Sequence, residues 1–234
     1  SIIENHFRES VKLSLLSNGD AASAHHTLAM YSDKFFTRAK ERITSKEWAT
    51  SQALRQHNEE MAQALSVKYK KRVGTKEELS KIKRQYNALS RQSKIDKQES
   101  IRIMQEMSSF LQLAVDSYIR TLTFGSRHDT RAVFRLFSLW SSNPTSLDRG
   151  TLQEALLKIP THKFLPLTYQ IASRANSDAP ESFKNALFAL LEAISENHPH
   201  HILWQLLTFA KASDGGAASA NANQMKALLE KLSK

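Results

Sequence analysis

Histidines are the clustered side chains of this sequence whose chemistry comes nearest to a metal site. His198, His200 and His201 lie within four residues, with His162 and His128 further upstream. Imidazole binds zinc, but protein zinc sites commonly add thiolate or carboxylate ligands, and the chain has no cysteine. The same residues fit a helix start, because the proline after His198 can open a helix with His200 in its first turn. We expect a helix start here, with a metal site as the alternative.

Motifs for phosphate binding and nucleophilic catalysis are missing from the sequence. The 6 glycines form neither G-x-G-x-x-G nor G-x-x-x-x-G-K, the loops whose backbone amides hold a nucleotide phosphate. Protein-kinase signatures and the G-x-S-x-G nucleophile elbow are also absent. We therefore predict that this chain supplies no catalytic residue, no cofactor-binding residue and no metal ligand, and that it is not an enzyme by itself.

Aromatic residues recur at helical spacing in the second half of the chain, which is more typical of a core than of a cofactor site. They are Phe134, Phe137, Trp140, Phe164, Trp204 and Phe209. The run 163–167 places apolar residues on both sides of a proline, more than one helix face of this chain could cover. We therefore predict that part of this set binds a protein partner, namely Trp140, Phe164, Leu165 and Trp204.

Composition indicates an all-α fold. The 234 residues include only 6 Gly and 5 Pro, and apolar stripes of helical period occur in every segment. The absence of cysteine excludes disulfides within the chain and fits a reducing compartment. No apolar run approaches the ~20 residues of a membrane span. We expect no membrane contact and a chain cut from a longer polypeptide.

The basic charge is concentrated in one segment. Residues 38–103 hold 17 Lys and Arg against 8 Asp and Glu, whereas the whole chain has 33 against 23. Such a segment is either a solvated, protruding helix or a phosphate-binding arm. Because aromatic residues that could stack on bases are scarce there, we favour the protruding helix, and expect it to contact proteins rather than nucleic acid directly.

Four segments are predicted from these patterns. Residues 1–45 form a helical hairpin like one unit of a TPR- or HEAT-like α-solenoid, with a stop at Asn18–Gly19 and Asp20 capping the second helix. Residues 46–124 form a long, basic, coiled-coil-like antiparallel hairpin. Residues 125–213 form stacked short helices, and residues 214–234 form a linker, beginning at Asp214–Gly216, and a terminal amphipathic helix.

The turn of the long hairpin is ambiguous in the sequence. A heptad register passes from Leu54 through Met61, Leu65, Leu79, Ile82, Tyr86 and Leu89 across Gly74, which favours one uninterrupted arm. The periodicity then resets around Ser93–Lys97. Thr75–Glu78 could instead be a capping box that starts a new helix, so this alternative stays open.

Boundary residues divide the third segment. His128–Asp129 should cap a helix that stops at Asn143–Pro144, and the helix of about 162–175 tolerates Pro166 only in its first turn. Pro180 and Pro199 should each open a further helix.

The third segment carries a family resemblance. The runs 126–129, 133–140, 158–167 and 198–201, in this order and spacing, resemble the end of the FAT region of ATM-type kinases, of the phosphatidylinositol-3-kinase-related family. The resemblance implies an α-solenoid that wraps a C-terminal serine/threonine kinase domain, to which ATP and magnesium would bind. It also implies a nuclear homodimer that acts in DNA double-strand-break signalling and telomere maintenance, so the partners expected here are the kinase domain and other proteins.

Two other functions remain open from the residues alone. A free-standing helical-repeat adaptor would show an exposed apolar groove. A basic hairpin protein that binds nucleic acid through residues 38–103 would lose affinity steeply with salt.

Overall fold

The computed structural model describes residues 2–16, 20–71, 75–147, 150–175, 177–212 and 226–231. Every regular element among them is helical, without a strand, which confirms the all-α prediction. The predicted stop at Asn18–Gly19 and the linker from Asp214 lie outside the described residues. The helices are α1 (Ile2–Leu16), α2 (Ala21–Thr44), α3 (Lys46–Lys70), α4 (Lys76–Phe124), α5 (Asp129–Ser142), α6 (Gly150–Leu157), α7 (Thr168–Ala175), α8 (Glu181–Asn197) and α9 (Pro199–Ala212), with a 3₁₀ helix at Thr161–Leu167 before α7.

The chain divides into two compact units. The short-helix unit comprises residues 1–32 and 111–234, and the hairpin unit comprises residues 33–110. Among the described helices, none combines the length and the apolar character needed to cross a bilayer.

Helix α8 is the centre of the short-helix unit. It contacts α6, α7, α9 and the 3₁₀ helix, and it buries a wide apolar face between these elements. Its fully buried residues lie at helical spacing and meet branched aliphatic side chains from the neighbouring elements. The largest of these fully buried side chains are Leu122, Leu136, Ile159, Leu167, Ile171, Leu187, Leu190, Leu191, Ile194, Ile202 and Leu206.

Helix starts follow the predicted residues in part. Asp20 caps α2, since its Oδ1 accepts a hydrogen bond from the Ser23 backbone N–H at 2.9 Å. Pro180 and His198 directly precede α8 and α9. His128 occupies the N-cap position of α5 as predicted, but its side chain makes no capping hydrogen bond and lies against Ser23 instead.

Pro166 differs from its predicted place in a first α-turn. It lies inside the 3₁₀ helix, and α7 begins two residues later at Thr168. A proline has no N–H to donate, so the chain uses short 3₁₀ bonding up to this point. The Thr168 hydroxyl donates to the Leu165 carbonyl at 3.1 Å. The 3₁₀ helix before α7 also packs against α5 and α8.

The hairpin unit turns between α3 and α4. Helix α3 ends at Lys70, and α4 begins at Lys76 behind a capping box. The Glu78 carboxylate accepts from the Thr75 backbone N–H at 2.7 Å, and the Thr75 hydroxyl accepts from the Glu78 N–H at 3.4 Å. The expectation of an uninterrupted arm across Gly74 is therefore wrong, because reciprocal capping satisfies two N–H groups at a new helix start.

Helix α4 continues through Ser93–Lys97 without a break, so the predicted reset of the periodicity there is not a turn. Helices α3 and α4 are antiparallel, with the Glu59–Lys97 ion pair and the Arg55–Ser100 hydrogen bond between them. Of the predicted seam, Leu54 and Met61 are exposed, while the remaining members are half-buried. These half-buried members are Leu65, Leu79, Ile82, Tyr86 and Leu89.

Candidate partner-binding surface

The structure separates the four residues predicted to bind a partner. Trp140 and Phe164 are buried, at 4% and 2% exposure, and Leu165 is half-buried. Trp204 is 75% exposed. The aromatic residues around Trp140 explain its burial, since Phe183 meets it edge-on with ring centres 4.7 Å apart. A partner can therefore reach Trp204 directly, whereas a role for Trp140 and Phe164 in binding stays a prediction.

Helix α9 places Trp204 on the outer face of the short-helix unit. Ile202 and Leu206 on the same helix are fully buried against the core, so the neighbouring positions Leu203 and Trp204 face outward. The exposed positions of α9 are mixed, since His200, His201 and Thr208 accompany Leu203 and Trp204. The apolar side chains that the core leaves uncovered are therefore Leu203 and Trp204.

Helix α7 contacts α9 and carries a further exposed aromatic residue. Tyr169 is 60% exposed, and its ring lies 5.5 Å from that of Phe209 on α9. We call Tyr169, Leu203, Trp204 and Phe209 the α7/α9 surface. Sequence reasoning missed Tyr169, and it assigned Phe209 to the core. The spacing of Tyr169 from the buried pair Ile171 and Ala172 could have indicated an outward position.

A buried lysine holds the segment that leads into α7. Lys163 is 7% exposed, and its ammonium donates to the Leu122 carbonyl at 2.7 Å, to the Gly125 carbonyl, and to Asp129 Oδ1 at 2.9 Å. All three donors of the ammonium group are therefore used. Two of the acceptors are carbonyls at the end of α4, which lack partners within the helix. Lys163 thus joins α4, the start of α5 and the 3₁₀ helix.

Gly125 is required where α4 ends. A Cβ atom at this position would lie 2.6 Å from the Cβ of Ala22, closer than real side chains approach. Close packing of α2 against the end of α4 therefore needs glycine here. Sequence reasoning placed the end of the apolar stripe at Gly125 but did not foresee its contact with α2. It also missed the role of Lys163, although a lysine inside the apolar run 163–167 is a signal that could have identified it.

Three histidines form a second polar cluster in the short-helix unit. The rings of His26 and His128 stack with centres 4.0 Å apart, and His128 Nε2 lies 2.9 Å from Ser23 Oγ. His25 stacks on Phe124 at 5.5 Å, and neither of its ring nitrogens has a hydrogen-bond partner.

The environment of His25 and His26 disfavours the protonated form of both side chains. Burial, with Arg120 as a second cause, lowers the pKa of His25 to about 4. Burial also lowers the pKa of His26, with smaller contributions from His128 and Arg131. His25 and His26 therefore act as neutral core side chains. His128 instead lies beside the Ser23 hydroxyl, which donates to Asp20 Oδ2 at 2.6 Å.

The histidines of the predicted metal alternative do not converge. His198 Nε2 lies 3.1 Å from Thr161 Oγ1, and the His198 ring is edge-on to that of His201 at 6.2 Å. Across the part of the chain that the structure describes, no three His, Asp or Glu side chains are grouped to hold a metal ion. The geometry of His198 instead ties the start of α9 to the 3₁₀ helix.

Comparison with known proteins identifies relatives among protein kinases. The chain is 33% identical over 190 residues to serine/threonine-protein kinase ATM of Arabidopsis thaliana, covering 78% of this chain and 5% of the kinase. It is 32% identical over 201 residues to serine-protein kinase ATM of Sus scrofa, covering 85% of this chain and 6% of that protein. The chain thus spans a small part of the length of these curated relatives. No protein-family model matches it.

Solved structures agree on the fold. The structure described as "FAT and kinase domain of CtTel1" matches with a TM-score of 0.57 and 23% identity, over 92% of this chain and 13% of that one. The "open conformation of CtTel1" matches with a TM-score of 0.56 and 22% identity, over 91% of this chain and 7% of that one. The predicted resemblance and the predicted solenoid fold are both confirmed. The chain is therefore homologous to one segment of the ATM and Tel1 serine/threonine-protein kinases, and its fold is the helical solenoid of the FAT region.

Proposed function

We propose that this chain is a non-catalytic FAT scaffold segment of an ATM-like serine/threonine-protein kinase and that its α7/α9 surface packs against the kinase domain. The observation that carries the proposal is the 75% exposure of Trp204, the highest among the large apolar side chains of the described residues. A large aromatic side chain buries 150–250 Å² in a complete contact. For Trp204 on the order of 150 Å² is still uncovered, which corresponds to about 4 kcal/mol on burial.

The α7/α9 surface lies on rigidly packed helices, which suits a surface that holds a kinase domain in position. The α7/α9 surface lies on two helices that pack against α8, and the segment before α7 is fixed by Lys163. A surface on packed helices can hold a neighbouring domain in a defined position better than one on loops. Bracing of this kind would act on the orientation of the kinase lobes and needs no catalytic group in the chain.

The wider proposals follow from the relatives. The parent protein would be a nuclear kinase that works in DNA double-strand-break signalling and telomere maintenance, and it would form a homodimer. ATP and magnesium would bind to its kinase domain and not to this segment. The hairpin unit would contact other proteins.

Substitution of Trp204 in the full-length kinase tests the proposal. Trp204→Ser removes most of the exposed apolar area and should lower phosphorylation of a peptide with Ser followed by Gln by about tenfold, through weaker docking of the kinase domain. Phe134→Ser is the matched control, because Phe134 is an aromatic residue 42% exposed on α5 of the same unit. Full activity of Trp204→Ser, or an equal loss in both variants, would contradict the proposal.

The non-catalytic part has its own test. The purified 234-residue chain should show no ATP hydrolysis or peptide phosphorylation above a buffer blank. Activity that co-elutes with the protein on a second column would contradict the non-catalytic role. It would not contradict the proposed contact of the α7/α9 surface with the kinase domain.

A further inference from the structure

The end of the hairpin unit carries exposed positive charge, and no ion pair among its described residues offsets this charge. Between residues 67 and 84, the described residues include seven basic side chains and two acidic ones. All nine are exposed, and no salt bridge joins any of the seven to an acidic group of the described chain. The basic residues are Lys68, Lys70, Lys71, Lys76, Lys81, Lys83 and Arg84.

One of the two acidic groups is already engaged. The Glu78 carboxylate accepts a hydrogen bond from the backbone N–H of Thr75, and this bond, with that of the Thr75 hydroxyl, lowers the Glu78 pKa. It serves the start of α4 and is directed to the backbone rather than to a lysine. The positive potential at this end of the unit is therefore left for an external anion.

An apolar floor lies among these charges. A groove of about 650 Å³ is lined by Tyr69 and Leu79 together with Ser80 and three lysines, Lys70, Lys76 and Lys83. Tyr69 is 39% exposed, and Leu79 is half-buried. The groove thus offers lysine ammonium groups at its rim and a tyrosine ring and a leucine between them.

This combination fits an acidic protein segment better than a nucleic acid. A phosphate backbone would satisfy the lysines but would leave the Tyr69–Leu79 floor without an apolar partner. Six of the seven basic residues are lysine, whereas bidentate recognition of guanine and insertion into narrow minor grooves are mostly the work of arginine. Exposed aromatic side chains in a row, on which successive bases could stack, do not occur in this part of the described chain.

We infer that the end of the hairpin binds an acidic peptide segment that carries a large apolar side chain, with carboxylates on the lysines and the apolar group on Tyr69 and Leu79. This inference rests on the protein-contact role proposed above for the hairpin and names the chemistry of its partner. It does not involve the α7/α9 surface, so the two proposals can fail separately.

Fluorescence anisotropy with the 234-residue chain tests the inference. The probe is a labelled peptide of about 12 residues, Asp and Glu throughout except for one central Phe, in about 150 mM salt. Lys70→Glu, Lys76→Glu and Lys83→Glu together should weaken binding by about tenfold or more. The control combines Lys46→Glu, Arg91→Glu and Lys94→Glu, which changes the net charge equally at exposed positions away from the groove, and should weaken binding by less than about threefold.

Two further probes examine the apolar floor and the competing ligand. Tyr69→Ala should weaken binding of the Phe peptide by about threefold but leave a peptide with Ser in place of Phe unchanged. Duplex DNA of similar charge should bind more weakly than the Phe peptide. The inference is overturned if the Phe peptide fails to bind, if both charge-reversal triples lose affinity equally, if Tyr69→Ala has no selective effect, or if the DNA binds more tightly.

Discussion

The two units of this chain use their apolar residues differently. In the short-helix unit, side chains from α5 through α9 reach complete burial around α8. In the hairpin unit, the buried apolar side chains among the described residues are Phe36, Ala62 and Ile103. The remaining apolar groups of its seam are half-buried or exposed, and charged pairs such as Glu59–Lys97 link the helices.

This difference in packing indicates that the two units have different roles. Burial of apolar area is the main source of stability, so the short-helix unit is a rigid support. Exposed ion pairs contribute little, typically below about 1 kcal/mol, so the hairpin depends on helix propensity and capping. The hairpin is therefore suited to presenting charge, and the short-helix unit is suited to holding a neighbouring domain.

Removal of a tryptophan from each unit should give the largest contrast. Trp140→Ala, at a buried position against Phe183, should lower the free energy of unfolding by about 3–5 kcal/mol. Trp48→Ala, at a half-buried position beneath Arg55, should cost about 1 kcal/mol. Urea titration followed by far-ultraviolet circular dichroism measures both. Equal losses would show that the two units are packed alike.

The second-largest loss of stability is expected on removal of the buried Lys163 ammonium group. Lys163→Met keeps the apolar stem but leaves two carbonyls and the Asp129 carboxylate without their donor, which should cost about 2–4 kcal/mol. Lys158→Met at an exposed position is the control and should change stability by less than about 0.5 kcal/mol. If the two methionine variants unfold at the same urea concentration, Lys163 does not join α4 to the 3₁₀ helix as described.

Acid should destabilise the short-helix unit through His25. The folded pKa of His25 is lowered to about 4 from an ordinary 6.5, so the unfolded chain binds the proton more readily. The contribution of neutral His25 to the free energy of unfolding is fully present above pH 6.5. It is lost as the pH falls from 6.5 toward 4, and the loss should reach about 1–2 kcal/mol at pH 5.

A leucine at this position should remove that part of the pH dependence. His25→Leu also removes two unpaired buried nitrogens, so it should not lower stability at pH 7. His200→Leu, at an exposed position, should keep the loss of stability between pH 7 and pH 5. Thermal unfolding over this pH range compares the two variants. Identical pH profiles would show that His25 does not cause the loss of stability in acid.

The smallest effect is expected at the turn of the hairpin. Thr75→Ala removes one half of the capping box, so amide exchange in residues 76–80 should accelerate by about fivefold. Thr50→Ala, in the interior of α3, is the control and should leave these amides unchanged. Unchanged exchange in Thr75→Ala would mean that the cap does not determine where α4 begins.

The fold was predictable to the extent that it depends on local periodicity. Apolar spacing identifies α8 and α9, and Pro180 and Pro199 mark their starts correctly. The break between α3 and α4 was ambiguous in the sequence, because the heptad register passes through Gly74 unchanged and the alternative depends on reciprocal capping between Thr75 and Glu78. The 3₁₀ helix at Thr161–Leu167 was not predicted, since its stability comes from packing against α5 and α8.

The candidate surface was predictable only in part. Trp204 was selected for its size, and its exposure agrees with a contact role that stays a prediction. Periodicity could not show that Trp140 and Phe164 are covered by this chain, because coverage depends on which helices meet. The same limit explains why Tyr169 was missed, since its neighbour Phe209 lies forty residues further along the chain.

Photo-crosslinking from position 204 tests the central claim most directly. A benzoylphenylalanine in place of Trp204 in the full-length kinase is irradiated, and the linked peptides are identified by mass spectrometry, with the same substitution at Phe134 as control. We expect position 204 to link to the kinase domain and position 134 not to do so. Links from position 204 to other proteins alone, or no link to the kinase domain in an active preparation, would contradict it.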